Sequence, residues 1–258
     1  MTLAVTTEGS KSMAYIGREA LTCAELSELV YELPYRIRSR IGKIVGNAQV
    51  TVRTIPSKNS RILVAIGSTA IYVVFRGTVF KGLRSWQTNL ATNRKNWMSG
   101  KVHGGFLGVL NLARPFFRPI LAQCSNHMKD VYFTGHSQGG AVAFLAAIDN
   151  SRPISTSRIS RNYTFGQPRA GNNQFCRSAE IRLRGSCSRV VNGRDLVVGL
   201  PIVLQGYGHF REYLHYGANG KITRRRQNMG SGWFHANIND HFMANYRALA
   251  LKNVDVSI

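Results

Sequence analysis

Acidic side chains are scarce in this sequence: twelve Asp and Glu stand against 34 Lys and Arg, a formal net charge of +22. The deficit is uneven. From Leu33 to Lys129 there are sixteen basic residues and no acidic one, whereas five of the twelve acids fall between Glu8 and Glu32. So large a positive field favours anionic surfaces such as nucleic acid, acidic lipid headgroups or polyanionic glycans, and it carries no information about fold. Long apolar runs are missing too. No stretch reaches the ~18 uninterrupted apolar residues that cross a bilayer, so no transmembrane segment is expected. The start, Met1 to Ser12, is polar where a secretory signal would be apolar. The expectation is a soluble chain without a Sec-type signal, cytoplasmic as encoded or extracellular by a non-Sec route. Cysteine is sparse: Cys23, Cys124, Cys176 and Cys187 show neither CxxC nor Cys/His metal spacing, so no metal site is expected and no disulfide scaffold. They are expected as free thiols, with Cys176 and Cys187 close enough in sequence to pair in an oxidising compartment. Repeats and linkers rich in Pro, Gly or Ser are absent as well, and the 258 residues read as one domain, 1–258.

What is present alternates. Leu21, Ala24, Leu26, Leu29 and Val30 recur at helical spacing within Ala20 to Tyr31. Ile62 to Ile66 and Ile71 to Phe75 are β-branched runs separated by Gly67 and Ser68, which reads as a hairpin or two adjacent strands. Gly104 to Met128 is helical in pattern, but Pro115 and Pro119 remove backbone donors, so a kink or two shorter helices are expected. Val131 to Thr134, Tyr163 to Phe165 and Arg189 to Val191 read as short strands, and Asn219-Gly220 is a hairpin signal between Tyr213 to Tyr216 and Lys221 to Arg224. Strands alternating with helices make an α/β sheet the leading architecture.

Gly135-His136-Ser137-Gln138-Gly139 fits a nucleophile elbow, a serine on a sharp strand-to-helix turn. Three fixed positions alone are weak evidence. Their context is stronger, because a strand must precede the serine and a helix must follow it; Val131 to Thr134 and Ala141 to Ala147 supply both. The alternative is a Gly-rich turn with an incidental serine. A nucleophilic serine needs a base and the base an orienting acid, in the order Ser, acid, His for this fold class. Asp149 ends the helix directly after the elbow, and Glu180 lies in an Arg-rich polar segment. Asp195 follows the strand Arg189-Val190-Val191-Asn192 and is the best placed acid. For the base, His209, His215, His235 and His241 lie downstream. Spacing favours His241, which opens a helix-like segment, over His235 after Trp233-Phe234, without deciding between them.

The chain resembles the class 3 (fungal-type) lipase family of α/β-hydrolases. The resemblance is carried, in order, by Val73 to Thr78, Trp86 to Leu90, Val102 to Phe106, Val131 to Ala147, Tyr163 to Asn172, Arg189 through Asp195 to Pro201, Gly206 to His209, and Asp240 to Tyr246. It implies a central, mostly parallel sheet flanked by helices, with Ser137 as nucleophile, Asp195 as orienting acid and His241 as base. It further implies an oxyanion hole at Thr78 and the backbone N–H of Gln138, donors worth roughly 10²–10³ in rate each. His209 becomes a structural or site-lining residue. No cofactor is implied. Relatives often carry acids where Ser85 and Asn89 stand here, which leaves Arg76 without its usual charge partner. Val79, Phe80, Lys81, Gly82, Leu83 and Arg84 occupy the place of a lid and read either as a small amphipathic flap or as a simple loop.

The expected activity is therefore serine carboxylic-ester hydrolysis, releasing fatty acids from acylglycerols through an acyl-enzyme on Ser137. A phospholipase A1 or polar-ester hydrolase with the same triad is the alternative. From another class, a catalytically silent lipase-like protein would bind anionic surfaces through Lys221 and Arg224-Arg225-Arg226, though such a run is usually a solvated face. The expected partner is a lipid or ester substrate, with peripheral contact to an anionic lipid interface and no nucleic acid.

Overall fold

The computed structural model describes residues 15–77, 93–124, 129–151, 160–183, 185–210, 212–226 and 237–258. Three helices open it, α1 (Gly17–Leu29), α2 (Pro34–Arg40) and α3 (Gly42–Val45). Strands β1 (Gln49–Ile55), β2 (Ser60–Ile66) and β3 (Ala70–Phe75) follow as an antiparallel meander, with Ile62 opposite Phe75. The hairpin read from Gly67-Ser68 is thus present.

A two-stranded ribbon, β4 (Arg94–Trp97) and β5 (Gly100–His103), leads into α4 (Gly104–Gln123). Of the two expected outcomes, a pair of shorter helices does not occur; Pro115 and Pro119 lie inside one helix. The physical reason is their spacing. Four residues apart, they share the exposed face, so the carbonyls of Asn111 and Pro115 that lose their helical donors lie on the water side, while Ala113, Phe117 and Leu121 keep the opposite face buried.

The remaining chain alternates: β6 (Asp130–His136), α5 (Gln138–Asn150), β7 (Ser160–Phe165), α6 (Asn173–Arg182), β8 (Cys187–Asn192), β9 (Glu212–Tyr216), β10 (Ile222–Arg226) and α7 (Met243–Lys252). In the eight-stranded sheet the order is β1-β2-β3-β6-β7-β8-β9-β10. β3, β6, β7, β8 and β9 pair in parallel, and the β9–β10 hairpin closes one edge. Alternation along β6 sorts its side chains: Val131 and Phe133 pack with α4 and α5 residues, while Tyr132 packs with α1 and α7 residues on the other face. Helices therefore cover both faces, as a parallel sheet requires. Among the described residues, no helix is long and apolar enough to cross a membrane. All four cysteines are free, so the Cys176–Cys187 bridge is not formed.

Candidate active site

Ser137 sits between the end of β6 and the first residue of α5, at the carboxyl edge of the parallel strands, where open α/β sheets place their ligands. Its backbone has φ 58° and ψ −131°, a strained conformation for a residue with a Cβ. The turn is held by Ser137 N–H donating to Phe165 O at 2.9 Å and by glycines with no room for side chains. A Cβ on Gly139 would stand 2.0 Å from Phe75 O, and one on Gly135 would stand 2.5 Å from the Gly139 carbonyl carbon. Gln138 opens α5, so its backbone N–H belongs to the helix's electropositive end.

Asp195 and His241 come from separate loops. Asp195 follows β8 in a turn closed by its N–H to Asn192 O. His241 ends a short 3₁₀ turn before α7; Asn237 N–H donates to Arg194 O, and the Asp240 carboxylate accepts from Arg194 N–H at 2.7 Å. These bonds tie one loop to the other. The His241 Nδ1–H donates to Asp195 Oδ2 at 2.8 Å and lies 3.0 Å from Oδ1, since a carboxylate only accepts. Asp195 also accepts from Val197 N–H at 2.8 Å and from the Tyr246 hydroxyl at 2.6 Å. Burial alone would raise the Asp195 pKa, but His241, Tyr246 and His136 more than offset it and hold the carboxyl below its ordinary value. Gly166, with φ +57°, makes room for this pair: a Cβ there would stand 2.7 Å from Asp195 Oδ2 and 2.9 Å from His241 Nδ1.

His136 supports the base from its other side. Its Nε2–H donates to the His241 carbonyl at 2.7 Å, which leaves Nδ1 as the acceptor facing the Tyr31 hydroxyl at 3.4 Å. Tyr31 in turn accepts from Gly77 N–H at 3.1 Å. Burial, reinforced by the adjacent His241, lowers the His136 pKa to about 3, so the ring is neutral. Ser137 and His241 both line a pocket of about 210 Å³ with Tyr31, Ile238, Phe242 and Met243.

Of the residues singled out in the sequence, Ser137, Asp195 and His241 come together; Thr78, residues 79–84 and His235 lie outside the described residues. His209 is bound to Val198 O through Nε2, away from the Asp195–His241 pair, and His215 to Gly193 O. Asp149 is taken by Arg114 at 2.9 Å and Arg118 at 2.7 Å. Arg76 donates to Asn59 O at 2.9 Å and to its Oδ1 at 3.2 Å, a neutral substitute for an acidic partner. Tyr246, Tyr31 and the role of His136 were not foreseen. The signal available for Tyr246 was its position on the helix that starts just after His241.

Among the described residues, no group of three or more His, Cys, Asp or Glu could hold a metal ion. A mostly parallel sheet covered on both faces, with a strained serine after a central strand and a buried Asp–His pair from later loops, is the α/β-hydrolase fold. Within it, the chain belongs to the class 3 lipase family: the model described as "Lipase (class 3)" matches residues 72–205, just over half of the chain. It is 35% identical to a lipase of Rhizomucor miehei over 167 residues, which are 60% of this chain and 44% of the relative. A secreted mono- and diacylglycerol lipase of Fusarium solani is 30% identical, covering 66% of this chain and 48% of its own length. The chain thus spans less than half the length of these curated relatives. Among solved structures, lipase II from Rhizopus niveus superposes with a TM-score of 0.74 at 26% identity, covering 89% of this chain and 95% of that one. A triacylglycerol lipase whose catalytic centre is a serine protease triad superposes at 0.72 with 25% identity, covering 86% and 91%.

Proposed function

We propose that this protein is a serine carboxylic-ester hydrolase that releases fatty acids from acylglycerols. His241 takes the proton of Ser137 Oγ as Oγ bonds to the acyl carbon, and returns it to the leaving alcohol oxygen as the ester C–O bond breaks; water then hydrolyses the acyl-enzyme by the same base. Asp195 fixes the His241 tautomer and stabilises its charged form. Gln138 N–H and Thr78 are assigned to the oxyanion. The observation that carries the reading is the 2.8 Å Asp195–His241 bond, buried beside a strained serine in an apolar pocket. The relatives named as acylglycerol lipases support the substrate class. The +22 charge is assigned to the approach to an anionic lipid interface.

The test is pH-stat titration of fatty acid released from diacylglycerol by wild type and Ser137→Ala. The reading requires release by the first and none above background by the second. Equal rates would overturn it.

A further inference from the structure

Next to the apolar pocket lies a second cavity of about 480 Å³ with the opposite character. Three carboxylates, Glu25, Glu28 and Glu32, and three cations, Arg40, Lys43 and Arg247, line it. The two cavities adjoin. Glu28 lines both, and Met243 of the apolar pocket lies one helical turn from Arg247 of the charged one on α7.

The charges are balanced in sign and incompletely paired. Arg247 Nε reaches Glu28 Oε2 at 2.6 Å, and Glu32 is shared by Arg36 at 3.4 Å and Arg40 at 3.5 Å. Among the described residues, the side chains of Glu25 and Lys43 have neither a hydrogen bond nor an ion pair within reach, so each sign keeps one group without a close partner in the same cavity. Burial raises the Glu25 carboxyl above its ordinary value, with Arg247 opposing and Glu28 adding to the rise; an incoming cation would relieve that cost. An acid-poor chain also has few carboxylates to spare. Three of its twelve acids converge here, beside the serine, while 97 consecutive residues from Leu33 to Lys129 carry none.

We propose that this cavity is a headgroup subsite for a zwitterionic glycerophospholipid, with the phosphate at Lys43 and Arg40 and the ammonium at Glu25 and Glu28. The inference rests on the hydrolase reading of Ser137 and names a substrate class for that site. Hydrocarbon beside the scissile ester occupies the apolar pocket, and the headgroup continues past Glu28. The bond that forms is Ser137 Oγ to the acyl carbon; the bond that breaks is the acyl C–O to glycerol, whose oxygen takes the proton from His241. The products are a lysophospholipid and, after hydrolysis, a fatty acid. A headgroup of one sign would engage only one of the two groups without a close partner, Glu25 or Lys43, so zwitterions are preferred over anionic phospholipids.

The experiment measures hydrolysis of phosphatidylcholine, phosphatidylglycerol and diacylglycerol of identical acyl chains in neutral-detergent mixed micelles, by wild type, Glu25→Gln, Lys43→Ala and the distant control Lys101→Ala, each checked for unchanged thermal melting. Wild type should cleave phosphatidylcholine faster than phosphatidylglycerol. The ratio of phosphatidylcholine to diacylglycerol rates should fall at least about fivefold in Glu25→Gln and in Lys43→Ala, as loss of a charged contact would give, and stay constant in Lys101→Ala. Diacylglycerol cleavage without phosphatidylcholine cleavage, or a ratio unmoved in both cavity variants, overturns the headgroup site alone. Inactivity on all three lipids overturns the hydrolase reading and this site with it.

Discussion

The ring of His136 lies against that of His241, centroids 4.5 Å apart, and donates through Nε2 to the His241 backbone carbonyl at 2.7 Å. The residue beside the nucleophile therefore holds the base by its main chain, while Asp195 holds it by its ring. His136→Leu keeps the bulk and removes the donor. The variant should lose kcat by on the order of tenfold, the scale of a small misplacement of a reacting group, with KM nearly unchanged. Steady-state kinetics on a soluble nitrophenyl ester reads this; an unchanged kcat would show that the contact does not position the base.

Tyr246→Phe tests the second support of the acid. The hydroxyl donates to Asp195 Oδ2 at 2.6 Å and accepts from Asn192 N–H at 3.0 Å, while the ring packs against His136 and Phe165 and would stay in place. Losing a hydrogen bond to a buried charge costs about 1.5–3 kcal/mol. Urea unfolding should report a loss of that size together with a several-fold lower kcat, and a stability equal to wild type would contradict the bond's importance.

Stability should depend on pH in one direction. Folding lowers the His136 pKa from 6.5 to about 3, burial being the first cause and His241 the second. As pH falls below 6.5 the unfolded chain binds a proton that the native ring refuses, so stability declines progressively from there toward pH 3. Asp195 is also held below its ordinary value, so its contribution is full above the usual carboxylate range and is lost on further acidification. The urea midpoint should be level from pH 8 to 7 and fall steadily between pH 6.5 and 4; a flat midpoint down to pH 4 would be inconsistent with a neutral, buried His136.

Strain at the elbow gives a stability difference between two inactive variants. Ser137 has φ 58°, a conformation that glycine adopts freely. Ser137→Gly should be more stable than Ser137→Ala by about 1 kcal/mol, the relieved strain less the entropy of an added glycine. Calorimetric melting of the pair decides it, and the reverse order would mean that the serine backbone is unstrained.

The sequence made legible what is local. Gly135 to Gly139 names the elbow because the sterics that require small residues act between neighbours along the chain, and strand succession points to Asp195, whereas the choice of His241 over His235 comes from the family resemblance. Asn219-Gly220 likewise specified the β9–β10 hairpin. What stayed hidden is long-range. The Tyr246–Asp195 bond joins residues 51 apart and the His136–His241 contact residues 105 apart, and no periodicity announces either. Residue counting also missed that Pro115 and Pro119 share one exposed helix face. Nothing in the sequence announces that Glu25, Glu28 and Glu32 share a cavity; packing of α1 against α7 brings Arg247 to them.

The central claim is that Ser137 is the nucleophile activated by His241 and Asp195. Its most direct measurement is labelling with a fluorophosphonate probe followed by mass spectrometric mapping of the modified peptide, in wild type and in Asp195→Asn. The account predicts one adduct, on Ser137, forming at least ~100-fold more slowly in Asp195→Asn because the histidine loses its orienting acid. An adduct on any other residue, or labelling at the wild-type rate in Asp195→Asn, would contradict it.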